Sequence, residues 1–321
     1  MDISVVVASR PNTPPEQDLE TAVVADRLGY GEVWVGEGWV WDCFTLATAI
    51  GQATEQVALT VGPVPVSLRD PAMIAVGAAS IAALTRRTVG VALGASSVRF
   101  VEGMHGRSRS RPGTALVESA TAVRSLLDGK RTDFQGEVLS THGYQLRLAP
   151  PGGPLTIAAF GDRAVRTAAT HADRMVLDLV STERVVEYRA KLQAAAAEAG
   201  RPAPALAAWL PAAVEPDADS TAELTTSLAG YLAVPGYGEM FAAVGFGDAV
   251  QAARAGADLP ALLEALPADA ASRVGLVGDA DVVAARLEAY ADAGLDEVVL
   301  VPATAGDPGG ERTLTALAKF R

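Results

Sequence analysis

Short apolar runs recur along nearly the whole chain, each followed by a stretch with helical spacing. This alternation constrains the fold more than any other feature. Ile3–Ala8, Glu32–Val35, Val57–Gly62, Thr88–Leu93, Leu155–Ala159, Arg174–Leu179, Ala205–Val214 and Glu297–Val301 read as strands. Glu16–Leu28, Phe44–Glu55, Pro71–Leu84, Thr114–Leu127, Arg163–His171, Thr182–Ala199 and Ala280–Ala293 read as the helices between them, and Thr313–Phe320 closes the chain. In the first helix Leu19, Val23 and Leu28 share a face, and Gly29 supplies the stop. Val89-Gly90-Val91-Ala92-Leu93 is apolar throughout, as strands covered on both faces of a parallel sheet are. Eight such units predict a (β/α)8 TIM barrel, within the α/β class, over an open doubly wound sheet. A barrel of this kind takes about 250 residues and tolerates insertions, so residues 1–321 are expected to form a single domain.

The rhythm breaks in three places. Residues 95–113 are long, basic and poor in apolar side chains, which predicts a lid-like loop. Thr132–Leu148 alternates weakly around Gly136 and Gly143 and reads as a small hairpin. Residues 217–277 are short helical pieces broken by Pro235-Gly236, Gly245, Gly256 and Pro267, a helical insertion before the last strand.

The third strand ends unusually, in Val61-Gly62-Pro63-Val64-Pro65. Neither proline has an N–H to give to a sheet ladder, so regular pairing must be released there. A bulge or a cis Gly62-Pro63 bond achieves this. Asp70-Pro71 then opens a helix, with Asp70 as the cap and Pro71 in the first turn. A distorted strand tip feeding a helix is where α/β proteins bind ligands.

The formal charge of −12 speaks against nucleic acid and against an anionic membrane surface, because both need clustered Lys and Arg. A single cysteine, Cys43, leaves no internal disulfide and no CxxC site. The three histidines (His105, His142, His171) follow no metal-ligand spacing. GxGxxG after the first strand, the P-loop, GxSxG and HExxH are all absent. The first residues lack the basic region of a signal peptide, and no run of about 18 uncharged apolar residues occurs. The expectation is a soluble cytoplasmic protein with a small-molecule substrate.

Several segments resemble the luciferase-like flavin and deazaflavin oxidoreductases. They are Ala25-Asp26-Arg27-Leu28-Gly29-Tyr30-Gly31-Glu32-Val33-Trp34-Val35, Leu46-Ala47-Thr48-Ala49-Ile50 with Leu59-Thr60-Val61-Gly62, and Arg69-Asp70-Pro71. Glu118 through Gly129 and Ile157-Ala158-Ala159-Phe160-Gly161 with Ala172-Asp173-Arg174 continue the resemblance. Leu228 through Phe241, with Tyr231 and Pro235-Gly236-Tyr237, resembles a branch of probable coenzyme F420-dependent oxidoreductases.

The resemblance implies a TIM barrel with an insertion that binds F420, or alternatively FMN, at the C-terminal ends of its strands. It also implies a homodimer. The third-strand bulge that backs the cofactor ring falls on Gly62, Pro63 and Val64. Further cofactor contacts fall on Gly94-Ala95-Ser96, Phe160-Gly161 and Leu179-Val180-Ser181, the last two preceding helices whose free N–H groups suit a phosphate. Two positions depart from the pattern: the family histidine after the second strand is Gly38, and the carboxylate after the fourth is Ser97.

Glu37 lies at a strand's C-terminal end and is the candidate catalytic residue, with a structural carboxylate as the plainer reading. Trp39, Trp41 and Tyr231 are candidates for the substrate wall, against ordinary loop packing. Asp42 reads as a helix cap, and His105 and the loop arginines as solvated side chains. The implied activity is hydride transfer between F420 and a small organic substrate. The alternatives are an FMN-dependent monooxygenase and a non-catalytic cofactor-binding barrel.

Overall fold

In the computed structural model, which describes residues 1–7, 14–38, 40–158 and 160–321, the first strand pairs in parallel with both the second and the last, closing a ring. The elements run β1 (Asp2–Val7), α1 (Glu16–Arg27), β2 (Glu32–Val35), α2 (Cys43–Ala53), β3 (Ala58–Pro65), α3 (Pro71–Thr85) and β4 (Val89–Gly94). A π-helical turn (Arg99–Met104) lies within the 95–113 segment, before α4 (Pro112–Leu127). Next come a hairpin of β5 (Thr132–Gln135) and β6 (Ser140–Tyr144), then β7 (Gly152–Ala158), α5 (Asp162–His171), β8 (Arg174–Asp178), α6 (Thr182–Glu198) and β9 (Ala205–Val214). The 217–277 segment holds α7 (Ala218–Ala229), α8 (Tyr237–Phe241), a second π turn (Ala242–Phe246), α9 (Gly247–Arg254), α10 (Leu259–Ala265), α11 (Ala270–Arg273) and most of β10 (Leu276–Gly278). The chain ends with α12 (Ala280–Asp292), β11 (Glu297–Pro302) and α13 (Glu311–Leu317).

Strands β1, β2, β3, β4, β7, β8, β9 and β11 form the closed parallel barrel, a (β/α)8 arrangement with helices outside. The helix starts follow from local chemistry. Asp42 accepts from the Thr45 N–H at 2.8 Å, and Asp70 from the Met73 N–H at 2.9 Å with Pro71 behind it. The short β10 is a strand at the end of a segment expected to be mostly short helical pieces. It pairs with Ala212–Val214 of β9, and Ala212 also pairs with Pro302 on its other side. It therefore takes the place β8 vacates after Asp178. Among the described residues no helix is long and apolar enough to cross a membrane.

Side chains alternate between the helix layer and the barrel interior. The inward set is layered. At the N-terminal end, Arg174 reaches Glu297 at 2.6 Å and Glu32 at 2.8 Å. Ser4 and the Trp34 indole N–H also donate to Glu297, and Thr60 donates to Glu32. This largely buried cluster hydrogen-bonds its polar groups to one another and plugs one end. Above it Val6, Trp34, Ala92, Val176, Ala207 and Val299 form a dry middle layer. The third layer, at the C-terminal ends of the strands, is open.

Candidate active site

The floor of this open end begins at the tip of β3. The Gly62–Pro63 peptide is cis. Pairing with β4 runs Val61↔Val91 and then Val64↔Leu93, so β3 carries one extra residue there. The ladder then resumes at Pro65↔Gly94, and the Val66 N–H donates to Gly94 O at 3.0 Å. The strand thus extends past Gly62, where the prolines suggested it would stop, because the residues between and after them supply the donors. Gly62 sits at φ +108, and a Cβ there would lie 2.3 Å from Ala92 O. A Cβ on Gly94 would lie 3.2 Å from Pro63 Cβ and 3.7 Å from Ala158 Cβ. Pro63, Gly94 and Ala158 therefore lie side by side at the strand ends, with no large side chain among them.

The opposite wall comes from β8 and β9. Asp178 and Trp209 are register partners, and both point inward, two residues beyond Val176 and Ala207 of the middle layer. Trp209 meets Trp34 edge-on, with ring centroids 5.8 Å apart. Its Nε1 is buried with no hydrogen-bond partner among the described residues. Asp178 Oδ2 accepts a hydrogen bond from the Tyr237 hydroxyl at 2.8 Å. Burial pushes the Asp178 carboxyl up to about 7, against the opposing pull of the Tyr237 hydroxyl and the Leu179 N–H. Asp178 did not emerge from the sequence, although an acid inside Met175-Val176-Leu177-Asp178-Leu179 is the available signal.

Tyr237 brings the 217–277 segment to the mouth. Its ring lies 4.6 Å from Phe160 and 4.8 Å from the exposed Tyr231, and Phe241 follows at 6.1 Å. Tyr188 donates to Phe160 O at 2.6 Å from beneath. Burial raises the Tyr237 hydroxyl well above its ordinary value, and the Asp178 carboxylate adds to this.

Two long helices start at the rim. Gly161 is the N-cap of α5, with open space where a Cβ would be. Ser181 is the N-cap of α6 and makes no side-chain capping bond. The first turns also carry Asp162 and Glu183, and the Ser181 side chain and the Glu183 N–H hold the Glu183 carboxyl below its ordinary value. Leu179 and Val180 are buried between, with the Tyr290 hydroxyl donating to Val180 O at 2.7 Å. After β4, Arg109 Nε donates to Ser96 O at 2.8 Å and to Ala95 O at 3.3 Å, tying the 95–113 segment to the strand end. Ser97 accepts the Phe100 N–H at 3.1 Å.

Glu37 stands apart from the Asp178 cluster in its bonding. Its Oε1 accepts from Arg69 at 2.8 Å, and Arg69 also reaches Asp42 at 2.5 Å. Burial raises the Asp42 carboxyl, but the bonds from Arg69 and Thr45 outweigh it and hold the group below its usual range. Burial, then the Glu37 carboxylate, pushes up the thiol of Cys43. The Trp41 indole donates to Pro15 O at 3.3 Å, fastening that loop to the start of α1. Trp39 lies outside the described residues.

The profile of the luciferase-like monooxygenase family matches residues 1–297. The chain belongs to the luciferase-like monooxygenase family. An F420-dependent glucose-6-phosphate dehydrogenase of Rhodococcus erythropolis is 27% identical over 314 residues, which cover 91% of this chain and 89% of the relative. Among solved structures, the coenzyme F420-dependent tetrahydromethanopterin reductase of Methanopyrus kandleri superposes with a TM-score of 0.81 at 17% identity, covering 99% of this chain and 98% of that one. A type II Baeyer-Villiger monooxygenase, the oxygenating constituent of 3,6-diketocamphane monooxygenase from Pseudomonas putida in complex with FMN, superposes with a TM-score of 0.73 at 17% identity, covering 99% and 97%. The two structural likenesses carry the family's fold across to this chain.

Proposed function

We propose that this chain is a coenzyme F420-dependent oxidoreductase that transfers a hydride between the deazaflavin and a small organic substrate. The observation that supports this best is the break in β3 at Gly62-Pro63, with the side-chain-free Gly94 beside it at the C-terminal ends of the strands. The full-length similarity to an F420-dependent dehydrogenase favours the deazaflavin as that ring.

The residues present fit the cofactor. Gly62, Pro63, Val64 and Gly94 would back its ring, with Ala95 and Ser96 beside them. The buried Trp209 Nε1, without a hydrogen-bond partner among the described residues, is a donor for a polar atom of the ring. Phe160-Gly161 and Leu179-Val180-Ser181 would hold the anionic tail through the N–H groups opening α5 and α6. When bound, F420 supplies or accepts two electrons as hydride. The chain binds and orients both partners, while the 95–113 and 217–277 segments cover the mouth and keep water out. A homodimer through barrel helices belongs to the same reading, and sedimentation equilibrium measures it.

Titration of the purified protein with F420 and with FMN, followed by cofactor fluorescence, tests the reading. F420 is expected to bind tightly and, in reduced form, to turn over with an organic acceptor. Tight FMN binding without F420 affinity would replace it with a flavin monooxygenase. F420 binding with no turnover across reducible compounds would leave a non-catalytic barrel.

A further inference from the structure

We propose that Asp178, held by Tyr237, is the proton-transfer residue of this site, and that the acceptor it serves is a neutral carbonyl or conjugated carbonyl compound. The inference rests on the hydride-transfer reading above. Hydride transfer to a carbonyl needs a proton, and the two family positions that would provide one are Gly38 and Ser97. Ser97 Oγ accepts the Phe100 N–H, and its hydroxyl is not a carboxylic acid.

The geometry points to Asp178 as the replacement. Its side chain enters the mouth from the end of β8, beside Trp209, and is partly open to solvent. The groups facing it are Trp209 from β9, Tyr237 from α8 and the Leu179 N–H, with Tyr231 behind Tyr237. None of these is charged at neutral pH. Glu37 and Asp42 differ, since both are paired with the Arg69 guanidinium. A carboxyl in an aromatic surround, with no cation beside it among the described residues, holds its proton near neutrality, which is the condition for an acid catalyst at that pH. Tyr237 is a positioning residue. Its hydroxyl fixes Oδ2 and so sets the orientation of the carboxyl. The rings of Phe160, Tyr231 and Trp209 around this acid suit an uncharged acceptor.

The step balances as follows. In reduction of a ketone, the carbonyl carbon gains a hydride as its C=O π electrons move to oxygen. In an enone the β-carbon gains the hydride, the C=C electrons shift toward the carbonyl carbon and the C=O electrons move to oxygen, leaving an enolate. The Asp178 O–H bond breaks, and its proton goes to that oxygen or, for an enone, to the α-carbon of the enolate. The cofactor is oxidised by two electrons, the acceptor is reduced by two, and Asp178 is left as a carboxylate that regains a proton from water. Oxidation of an alcohol runs the same path backwards, with the carboxylate as base.

The test uses the full chain with F420 and, as acceptor, 2-cyclohexen-1-one, alongside Asp178→Asn and Tyr237→Phe. Infrared or carboxyl NMR titration of the cofactor-free protein is expected to show a carboxyl with a midpoint near 7. That signal should vanish in D178N. In Y237F it should move to higher pH, because the lost hydroxyl bond favours the carboxylate. F420 binding should shift the midpoint. D178N should bind F420 within about threefold of wild type yet lose about 100-fold or more in kcat. A midpoint that F420 leaves unmoved, or D178N turning over like wild type with F420 bound, overturns the role of Asp178 alone. Wild-type protein that binds F420 but reduces no neutral ketone or enone overturns the acceptor class. Failure of wild type to bind F420 overturns the cofactor reading, and this proposal with it.

Discussion

Pro63 and Gly94 meet across neighbouring strand ends so closely that a Cβ on Gly94 would stand 3.2 Å from Pro63 Cβ. The bulge in β3 and the missing side chain in β4 together make one flat surface. Gly94→Val fills that surface. F420 affinity is expected to fall at least about tenfold, or about 1.4 kcal/mol, in a fluorescence titration. Wild-type affinity in G94V would place the ring elsewhere.

Gly62 is constrained in a second way. At φ +108, with a Cβ position 2.3 Å from Ala92 O and 2.5 Å from Val64 N, no side chain fits without moving backbone. Gly62→Ala is expected to destabilise the fold by about 1–3 kcal/mol, measured by urea unfolding. An unchanged midpoint would show that the β3 tip yields easily.

The barrel was legible because its strands are buried on both faces, and such runs announce themselves. Glu32–Val35 and Ala205–Val214 are found with the bounds the sequence suggests. The β3 tip was legible through its two prolines, although Val64 and Val66 carry the ladder past Gly62. Strand β10 was not, since three residues give no periodicity. Asp178 was absorbed into an apolar strand, and its partner Tyr237 lies 59 residues away. No local spacing connects those two. Only the packing of α8 over the strand ends does so.

Arg174 anchors the closed end of the barrel, with its cation 4.1 Å over the Trp34 ring and its nitrogens on Glu32 and Glu297. Arg174→Leu leaves two largely buried carboxylates without a counter-charge. Loss of about 3–5 kcal/mol is expected, read from denaturant unfolding at pH 7. Replacing all three by apolar residues should recover most of it. A single variant as stable as wild type would mean that water enters and solvates the acids.

The stability of the whole chain should carry the imprint of Asp178. Its folded carboxyl titrates at about 7, against an ordinary value of 3.8. Below pH 4 the group is protonated in both folded and unfolded chains, so it imposes no pH-dependent penalty. As pH rises toward 7 the unfolded chain ionises while the folded one keeps its proton, and the folded state loses up to about 4 kcal/mol in relative terms. Above 7 the penalty is complete. The neutral amide of Asp178→Asn removes this dependence. The melting temperature of D178N relative to wild type should therefore rise between pH 5 and pH 8, by several degrees in scanning calorimetry. A constant difference across that range would mean that Asp178 ionises as an ordinary exposed carboxylate.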